Sequence, residues 1–529
     1  MANKKWFLYA TEFFGGMAVM AIELGASRLL APYFSSSQIV WTIIIGTIMI
    51  ALAIGNVWGG KLADKDPNPS KLYLRLMIVA VWTACIPFVG KCVIALISLI
   101  LALFVGNGFL IIASLLSCAI LFVFPLILLG SITPSLVKYT VKTLDESGKT
   151  VGMLEALNTI GSIIGTFLPT FVTIPTVGTS WTFIIFALVL FALSVTYFIS
   201  NKIHLVKSGV SLLVIIVCAI LSSINGFAFW DSSLKYEGES IYNYLQVYET
   251  DTKIVLSTNV LFGQQSVKPK SGALSGGYYD YALAAPIMSD LYEKEGGEVL
   301  ILGLGAGTYA NQCIKYYGAH VEGVEIDTDI VNLAYEYFDL DERVDAHVFD
   351  GRAYLTVGQG KNKKYDVIMV DAYQDITIPF QMSSVEFFKE VKSHLTENGV
   401  MVVNMNMYSD EKNSINAYLG DTISSVFSEV STVKSGTNRI LFATDRTNYL
   451  TVFDERINSI SDSDLKRCMI NCYNGLSTYS AGNSILTDDK APVELLGLDL
   501  IDKMIAGELS YYQNYLKDHS IFDLFNELT

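Results

Sequence analysis

The first 229 residues contain apolar runs long enough to cross a lipid bilayer. Backbone polar groups in lipid are satisfied only within helices or closed barrels, so runs of this length predict transmembrane helices. The run at 92–105 is short for a full crossing, and the sequence therefore predicts seven or eight spans in a membrane domain at residues 1–229. The runs cover residues 6–30, 39–58, 72–89, 92–105, 109–129, 151–174, 181–199 and 210–227.

Charge divides the chain at the same point. Residues 1–229 carry 13 Lys+Arg and 7 Asp+Glu, whereas residues 230–529 carry 23 and 44. An acidic C-terminal part does not suit nucleic acid, which is bound by neutralising phosphates, and it favours a small cationic partner. The seven cysteines show no metal-ligand spacing, so no metal is expected.

Six polar residues lie inside the predicted spans: Glu12, Glu23, Arg28, Asn56, Glu155 and Asn158. Charged groups at membrane depth are costly, so they normally face the bundle interior and find partners. A Glu23–Arg28 pair is one such arrangement. The set fits either contacts between helices or a polar cavity that admits a lipid headgroup or a small amine.

The stretch from Val299 to Asp371 has the pattern of a nucleotide-binding sheet. An apolar strand at 299–302 ends in Gly303, Gly305 and Gly307, a helix is predicted at 309–317, and a second strand at 321–325 ends in Glu325. Glycines allow a tight turn close to a ligand, and an acid about twenty residues later accepts hydrogen bonds from ribose hydroxyls in Rossmann-type folds.

Two further predicted strands also end in acids, Asp350 and Asp371. Each acid alone is also typical of a helix cap or a solvated strand end. Together with Gly303 and Glu325 they line up at the carboxyl ends of the strands, where open α/β sheets bind ligands. Short alternating segments at 244–249, 253–257 and 259–267 predict a small β-hairpin layer before this sheet.

The sequence therefore predicts an α-helical multi-pass membrane domain followed by a β-hairpin layer and an α/β Rossmann-like sheet domain of the AdoMet-methyltransferase type. The expected boundaries are 1–229 for the membrane domain, 230–290 for the hairpin layer, 291–510 for the catalytic domain and 511–529 for an acidic tail.

The runs at 303–307, 323–327, 350–355 and 365–371 resemble spermidine synthases, the polyamine aminopropyltransferases, and in particular their membrane-fused bacterial branch. The resemblance covers roughly residues 236–500. It implies a transferase that uses S-adenosylmethionine or its decarboxylated form as co-substrate.

The resemblance also implies roles for individual residues. Asp371 matches the acid that faces the sulfonium and accepts the proton of the attacking amine, and Gln265 matches the glutamine that holds the nucleoside. Tyr278-Tyr279-Asp280 occupies the place of a Tyr-His-Glu run. The candidate catalytic residues are Asp371, Tyr279, Asp280 and Gln374, and the candidate nucleoside-binding residues are Gln265, Gly303, Gly305, Gly307, Glu325, Asp327, Asp350 and Gly351.

Two departures from the family pattern affect the substrates. Gln374 stands where the family has a second acid, and Ala306 stands where spermidine synthases have an Asp that contacts the amine of the decarboxylated donor. Loss of that negative charge is expected to relax discrimination against the carboxylate of ordinary S-adenosylmethionine.

The predicted function is aminopropyl-type transfer to an amine or to a membrane-delivered acceptor. The alternatives are an AdoMet-dependent methyltransferase on the same fold and a non-catalytic S-adenosyl sensor or transporter-like membrane protein. Lysines at 4, 5, 61–71, 138, 142 and 149 favour seven spans and an exterior C-terminal domain by the positive-inside rule. A cytosolic donor requires eight spans, and we expect on that ground a bacterial membrane protein with a cytoplasmic C-terminal domain. The expected partners are the lipid bilayer, a small cationic or lipid-linked acceptor and a second copy in a homodimer.

Overall fold

The computed structural model describes residues 5–104, 108–141, 147–224, 226–231, 233–260, 264–272, 274–373, 378–406, 409, 411 and 413–497. The predicted tail at 511–529 lies outside these residues. The domain boundaries stay predictions.

The N-terminal part is entirely helical. Two short π-helical turns, Ala119–Val123 and Pro169–Thr173, join helices end to end. The helices are α1 (Lys5–Phe34), α2 (Gln38–Lys65), α3 (Pro69–Phe104), α4 (Phe109–Cys118), α5 (Phe124–Gly130), α6 (Ile132–Thr140), α7 (Ser147–Leu168), α8 (Ile174–Asn201) and α9 (Leu205–Ile224).

Among the described residues, six segments are long and apolar enough to cross a membrane. The run at 72–89 and the described part of the run at 92–105 belong to the single helix α3, so the prediction of a separate eighth span there is wrong. The 55-residue segment Ser147–Asn201 contains α7 and α8, and the chain departs from helical geometry at Gly178. If these two helices are counted separately, the bundle has seven crossings.

Helices α7 and α8 run in opposite directions along α1. Small residues bring α7 against α1: a Cβ at Gly161 would lie 2.0 Å from the Phe13 carbonyl oxygen, and one at Gly165 would lie 2.2 Å from that of Met17. Residue numbers rise together in these contacts, so the two helices are parallel. On α8, Phe183 meets Gly25, whereas Tyr197 stacks on Tyr73, which bonds Thr11 near the start of α1. Close approach at small residues is typical of helix packing in membranes.

The two ends of the bundle differ in charge. One end carries the lysines of the α2–α3, α6–α7 and α8–α9 connections: Lys61, Lys65, Lys71, Lys138, Lys149, Lys202 and Lys207. The opposite end meets the C-terminal part, where Tyr33 donates to the Phe227 carbonyl at 2.8 Å and Thr179 donates from its backbone to Glu239 at 2.9 Å. The C-terminal domain therefore lies at the end opposite the lysines.

Of the polar residues predicted inside the spans, Glu12 is buried and bonded across helices, whereas Asn56 and Glu155 are exposed and do not face the bundle interior as expected. Glu12 accepts from Thr133 at 2.5 Å and from Asn158 at 2.9 Å, so it joins three helices. The suggested ion pair between Glu23 and Arg28, both of which the structure describes, does not form. Arg28 instead donates to the backbone carbonyls of Ser240 and Ile241 in the C-terminal part.

The C-terminal part contains two sheets. Strands β1 (Leu234–Glu239), β2 (Tyr244–Glu249), β3 (Lys253–Ser257) and β4 (Ser266–Pro269) form an antiparallel sheet in sequential order, which confirms the predicted hairpin layer. Its apolar residues Leu245, Val247 and Leu256 cluster with Ala306, Ile330, Leu333 and Phe338 of the larger domain.

The larger sheet has eight strands in the order β12-β10-β11-β9-β8-β5-β6-β7, with β9-β8-β5-β6-β7 parallel and the remainder antiparallel. Its strands are β5 (Glu298–Leu302), β6 (His320–Glu325), β7 (Asp345–Val348), β8 (Tyr365–Val370), β9 (Leu395–Met405), β10 (Glu429–Ser435), β11 (Asn438–Thr444) and β12 (Ser477–Thr478). The helices around it are α10 (Tyr278–Ala282), α11 (Ala284–Met288), α12 (Thr308–Tyr317), α13 (Thr328–Phe338), α14 (Gly351–Thr356), α15 (Val385–Ser393), α16 (Ile415–Ser424), α17 (Tyr449–Ile457) and α18 (Ser463–Gly475).

The central strands of this sheet are buried, which is why they could be predicted from apolar runs in the sequence. Residues 299–302 and 365–370 are buried throughout, as expected for parallel strands covered by helices on both faces. The predicted α/β sheet domain is confirmed, and strand order brings the carboxyl ends of β6, β5, β8 and β9 together.

Candidate active site

The glycine turn after β5 forms the floor of the site. Gly303, Gly305 and Gly307 all have positive φ, at 95°, 54° and 77°, a region that side chains disfavour. A Cβ at Gly303 would lie 2.5 Å from the carbonyl oxygen of Asp371. The turn therefore runs against the end of β8, and only glycine fits there.

Glu325, at the end of β6, is tied to this turn. One carboxylate oxygen accepts from the backbone N–H of Gly305 at 3.0 Å, and the other accepts from Ile326 at 3.0 Å. Burial raises its pKa, while these backbone bonds act in the opposite direction. Glu325 is thus held in one rotamer beside the turn, as an acid that receives ribose hydroxyls must be.

Asp327 has a different environment. It caps α13 through the N–H of Asp329, and it accepts from Ser240 at 2.6 Å and from Asn243 at 3.1 Å. Its buried carboxylate therefore fastens the small sheet to the strand end. The predicted nucleoside contact at this residue stays a prediction.

Asp371 follows β8 and is held by two donors. The Tyr278 hydroxyl donates to one carboxylate oxygen at 2.5 Å, and the Asn404 amide donates to the other at 2.8 Å. The pKa of Asp371 is raised to about 7, mainly by burial and also by the nearby Glu325, although the hydrogen bonds from Tyr278 and Asn404 act to lower it. A carboxylate that titrates near neutral pH is a better proton acceptor than an ordinary Asp.

Sequence reasoning missed the residues that hold Asp371. Asn404 lies near the end of β9, and its amide oxygen accepts from Asn438 of β11 at 2.8 Å. Tyr373 donates to the backbone carbonyl of Asn404. The signal was available for Asn404, because it is one more polar residue near the carboxyl end of a central strand.

The three residues of the Tyr278-Tyr279-Asp280 run make contacts that differ from their predicted roles. Tyr278, and not Tyr279, reaches Asp371. Tyr279 donates to the backbone carbonyl of Gln265 at 2.9 Å. Asp280 accepts from Ser275 and Gly276 and also from Gln312, at 2.7 to 2.9 Å.

These bonds occupy both oxygens of Asp280 in organising the loop before α10, so the structure gives it a structural role. Gln265 lies next to Ser266, whose hydroxyl accepts from the N–H of Ala306 at 3.1 Å. The candidate nucleoside glutamine is therefore adjacent to the glycine turn.

Two other candidates, Asp350 and Gly351, lie at the start of α14. Asp350 caps α14, accepting from Ala353 at 2.8 Å, and a Cβ at Gly351 would lie 3.2 Å from Met382. Ala306 is fully buried in the apolar cluster below the hairpin layer. Gln374 lies outside the described residues.

The geometry defines a class of protein: an α/β domain with a glycine turn and the carboxylates of Glu325 and Asp371 at one edge of its sheet. Residues 284–438 match the spermine/spermidine synthase domain family. The chain is 46% identical over 342 residues to a probable polyamine aminopropyl transferase of Bifidobacterium longum, covering 61% of this chain and 75% of that protein.

A polyamine aminopropyltransferase of Vibrio vulnificus is 29% identical over 198 residues, covering 36% of this chain and 65% of that protein. The structure of a spermidine synthase from Thermotoga maritima aligns with a TM-score of 0.37 at 18% identity, over 46% of this chain and 84% of that one. The chain belongs to the polyamine aminopropyltransferase (spermidine synthase) family, and it is a transferase.

Proposed function

We propose that this protein is a membrane-anchored aminopropyltransferase in which Asp371 accepts the proton of the acceptor amine. One observation carries the proposal: Asp371 lies against the glycine turn, held by Tyr278 and Asn404, with a pKa raised to about 7 by burial.

The reaction is a displacement at the carbon bonded to the sulfonium. The lone pair of the unprotonated amine attacks that carbon, and the carbon–sulfur bond breaks with both electrons passing to sulfur, which leaves as the neutral thioether methylthioadenosine. The amine nitrogen then loses a proton to Asp371. Glu325 and the glycine turn would hold the adenosine so that the sulfonium stands near Asp371, which replaces a bimolecular encounter by a positioned one.

The donor is the decarboxylated form of S-adenosylmethionine or S-adenosylmethionine itself. Ala306 brings no charge to the turn, which supports relaxed selection between them. Because its methyl group packs among Leu245, Val247 and Leu256, the same substitution also lets the hairpin layer close on the turn. Isothermal titration with each donor tests this: clear preference for the decarboxylated form contradicts the argument from Ala306.

We also propose that the bundle spans a bacterial membrane with its lysine-rich end in the cytoplasm. The positive-inside rule supports this orientation, because a lysine lies in or directly beside each connection at that end, whereas the opposite connection at 35–37 has none. The transferase domain would then face the other side, which differs from the cytoplasmic location expected from the donor and requires that the donor cross the membrane to reach the site. Reporter fusions at residue 143 and at the C-terminus test it: the two reporters should mark opposite sides, with residue 143 cytoplasmic.

The activity test uses the full chain in lipid nanodiscs with each donor and a panel of amines. Release of methylthioadenosine supports aminopropyl transfer, whereas S-adenosylhomocysteine indicates a methyltransferase. Binding of a donor with no product from any amine favours a sensor, and no binding of either donor refutes the nucleoside site.

A further inference from the structure

The active-site edge of the transferase domain faces the helical bundle. Arg28 of α1 donates to the Ser240 carbonyl at 3.3 Å, and the Ser240 hydroxyl donates at 2.6 Å to Asp327, just after β6. A second contact joins the α2 N-terminus to the domain, where the Gln38 N–H donates to Glu494 at 2.7 Å.

Glu494 is close in sequence to Asp488. The Asp488 carboxylate accepts a hydrogen bond from Arg352, which directly follows Asp350 and Gly351 at the end of a strand. A third contact runs from the Val260 N–H to the Pro32 carbonyl at 2.7 Å. All three contacts join the far end of the bundle to the carboxyl edge of the sheet or to the hairpin layer beside it.

The same edge carries most of the exposed apolar side chains of the domain. Among the described residues after 230, eleven large apolar side chains are exposed, and six belong to this edge. Phe380 is 55% exposed and Leu495 is 66% exposed. We call this set the apolar rim; it includes Ile241, Tyr242, Ile326, Phe349, Phe380 and Leu495.

An apolar surface of this kind has a cost in water and is expected where a protein meets another apolar phase. The rim is continuous with the end of a bundle whose outer surface is apolar, so the phase it meets is the interfacial layer of the bilayer. The acidic remainder of the domain, with 44 Asp+Glu against 23 Lys+Arg after residue 229, has no attraction to anionic lipid. Apolar contact at the rim is thus the interaction that would hold the domain against the membrane surface.

We infer that the apolar rim lies in the bilayer interface and that the acceptor is a primary amine carried by a membrane-resident amphiphile. The inference rests on the proposed function. The apolar part of the acceptor stays in the membrane while its amino group reaches Asp371, attacks the carbon next to the sulfonium, expels the thioether and passes its proton to the carboxylate. The product is a secondary amine on the same amphiphile.

The test measures methylthioadenosine release by the full chain in phosphatidylcholine nanodiscs, with decarboxylated S-adenosylmethionine and either dodecylamine or 1,4-diaminobutane. We expect kcat/KM for dodecylamine to be at least about tenfold higher, because partition into the bilayer concentrates it at the rim. The double variant Phe380→Ser, Leu495→Ser should remove that preference and leave the rate with 1,4-diaminobutane unchanged.

The matched control is Val357→Ser, which removes an apolar side chain that is 72% exposed at the C-terminal end of α14, and which should retain the preference. Equal or better use of 1,4-diaminobutane, or a preference that survives in the double variant, overturns the inference while the aminopropyltransferase proposal stands. Release of no methylthioadenosine from either amine, with the solubility and unfolding temperature intact, overturns both.

Discussion

Replacement of Tyr278 by Phe should move the pH dependence of the transferase to higher pH. The Tyr278 hydroxyl donates to the Asp371 carboxylate at 2.5 Å and acts to lower its pKa, which burial nevertheless raises to a net value of about 7. Loss of a hydrogen bond to a charged group is equivalent to about 1.5–3 kcal/mol, or about one to two pKa units. The pKa of Asp371 should therefore rise.

The sign of the change follows from the proposed role of Asp371 as proton acceptor. Only the carboxylate accepts a proton, so kcat/KM rises with pH through the pKa of the free enzyme. We expect an ascending limb near pH 7 in the unmodified protein and about one to two units higher in Tyr278→Phe. At pH 7 the ionised fraction, and with it kcat/KM, should fall about five- to fiftyfold.

The assay is a pH profile of methylthioadenosine release at subsaturating acceptor. Tyr279→Phe is the matched control, because it removes the neighbouring hydroxyl, which bonds the Gln265 carbonyl and not Asp371. A limb that stays near 7 in Tyr278→Phe, or that shifts equally in both variants, would refute the assignment of Asp371 as the titrating base.

The remaining predictions concern the same edge of the sheet. Asp371→Asn should lower kcat/KM by about 10²- to 10⁴-fold with donor affinity retained in calorimetry, and an unchanged rate would exclude Asp371 as the base. Because the pKa of Asp371 is higher in the folded protein than in the unfolded chain, its ionisation costs stability as pH rises from about 4 to 7; Asp371→Asn should therefore unfold at a higher temperature than the unmodified protein at pH 8 but not at pH 4. Gly303→Ala should fold poorly, since it adds a Cβ 2.5 Å from the Asp371 carbonyl, whereas Gly318→Ala, with positive φ but open space, should lose only about 1 kcal/mol in denaturant titrations. Asn438→Ala should move the ascending limb of the pH profile upward by less than Tyr278→Phe does, because Asn438 affects Asp371 through the Asn404 amide. A larger shift than that of Tyr278→Phe would contradict this prediction.

The sequence pattern correctly predicted those parts of the fold that depend on residues close together in the chain. The strand–turn–helix order around Gly303 and the acids after β6 and β8 followed from apolar runs and glycine spacing, since consecutive parallel strands end at one edge. Helix α3 shows the limit: two apolar runs separated by Gly90 and Lys91 read as separate spans, yet the helix continues through them.

Long-range partners could not be read from the sequence. Arg28 contacts backbone 212 residues away, and Tyr278 meets Asp371 across 93 residues. Asp280 and Asp371 are both aspartates. Only the tertiary structure shows that Asp280 holds a loop, whereas Asp371 lies beside the glycine turn.

The contact from Arg28 through Ser240 to Asp327 has a practical consequence for anyone who wishes to crystallise the enzyme. A truncated form beginning near residue 230 would remove the guanidinium that pins the β1–β2 turn. That turn in turn steadies the loop that follows Glu325. Such a fragment would keep every residue assigned to chemistry and still be expected to bind nucleoside weakly, so a failed assay on it would say little about the intact protein.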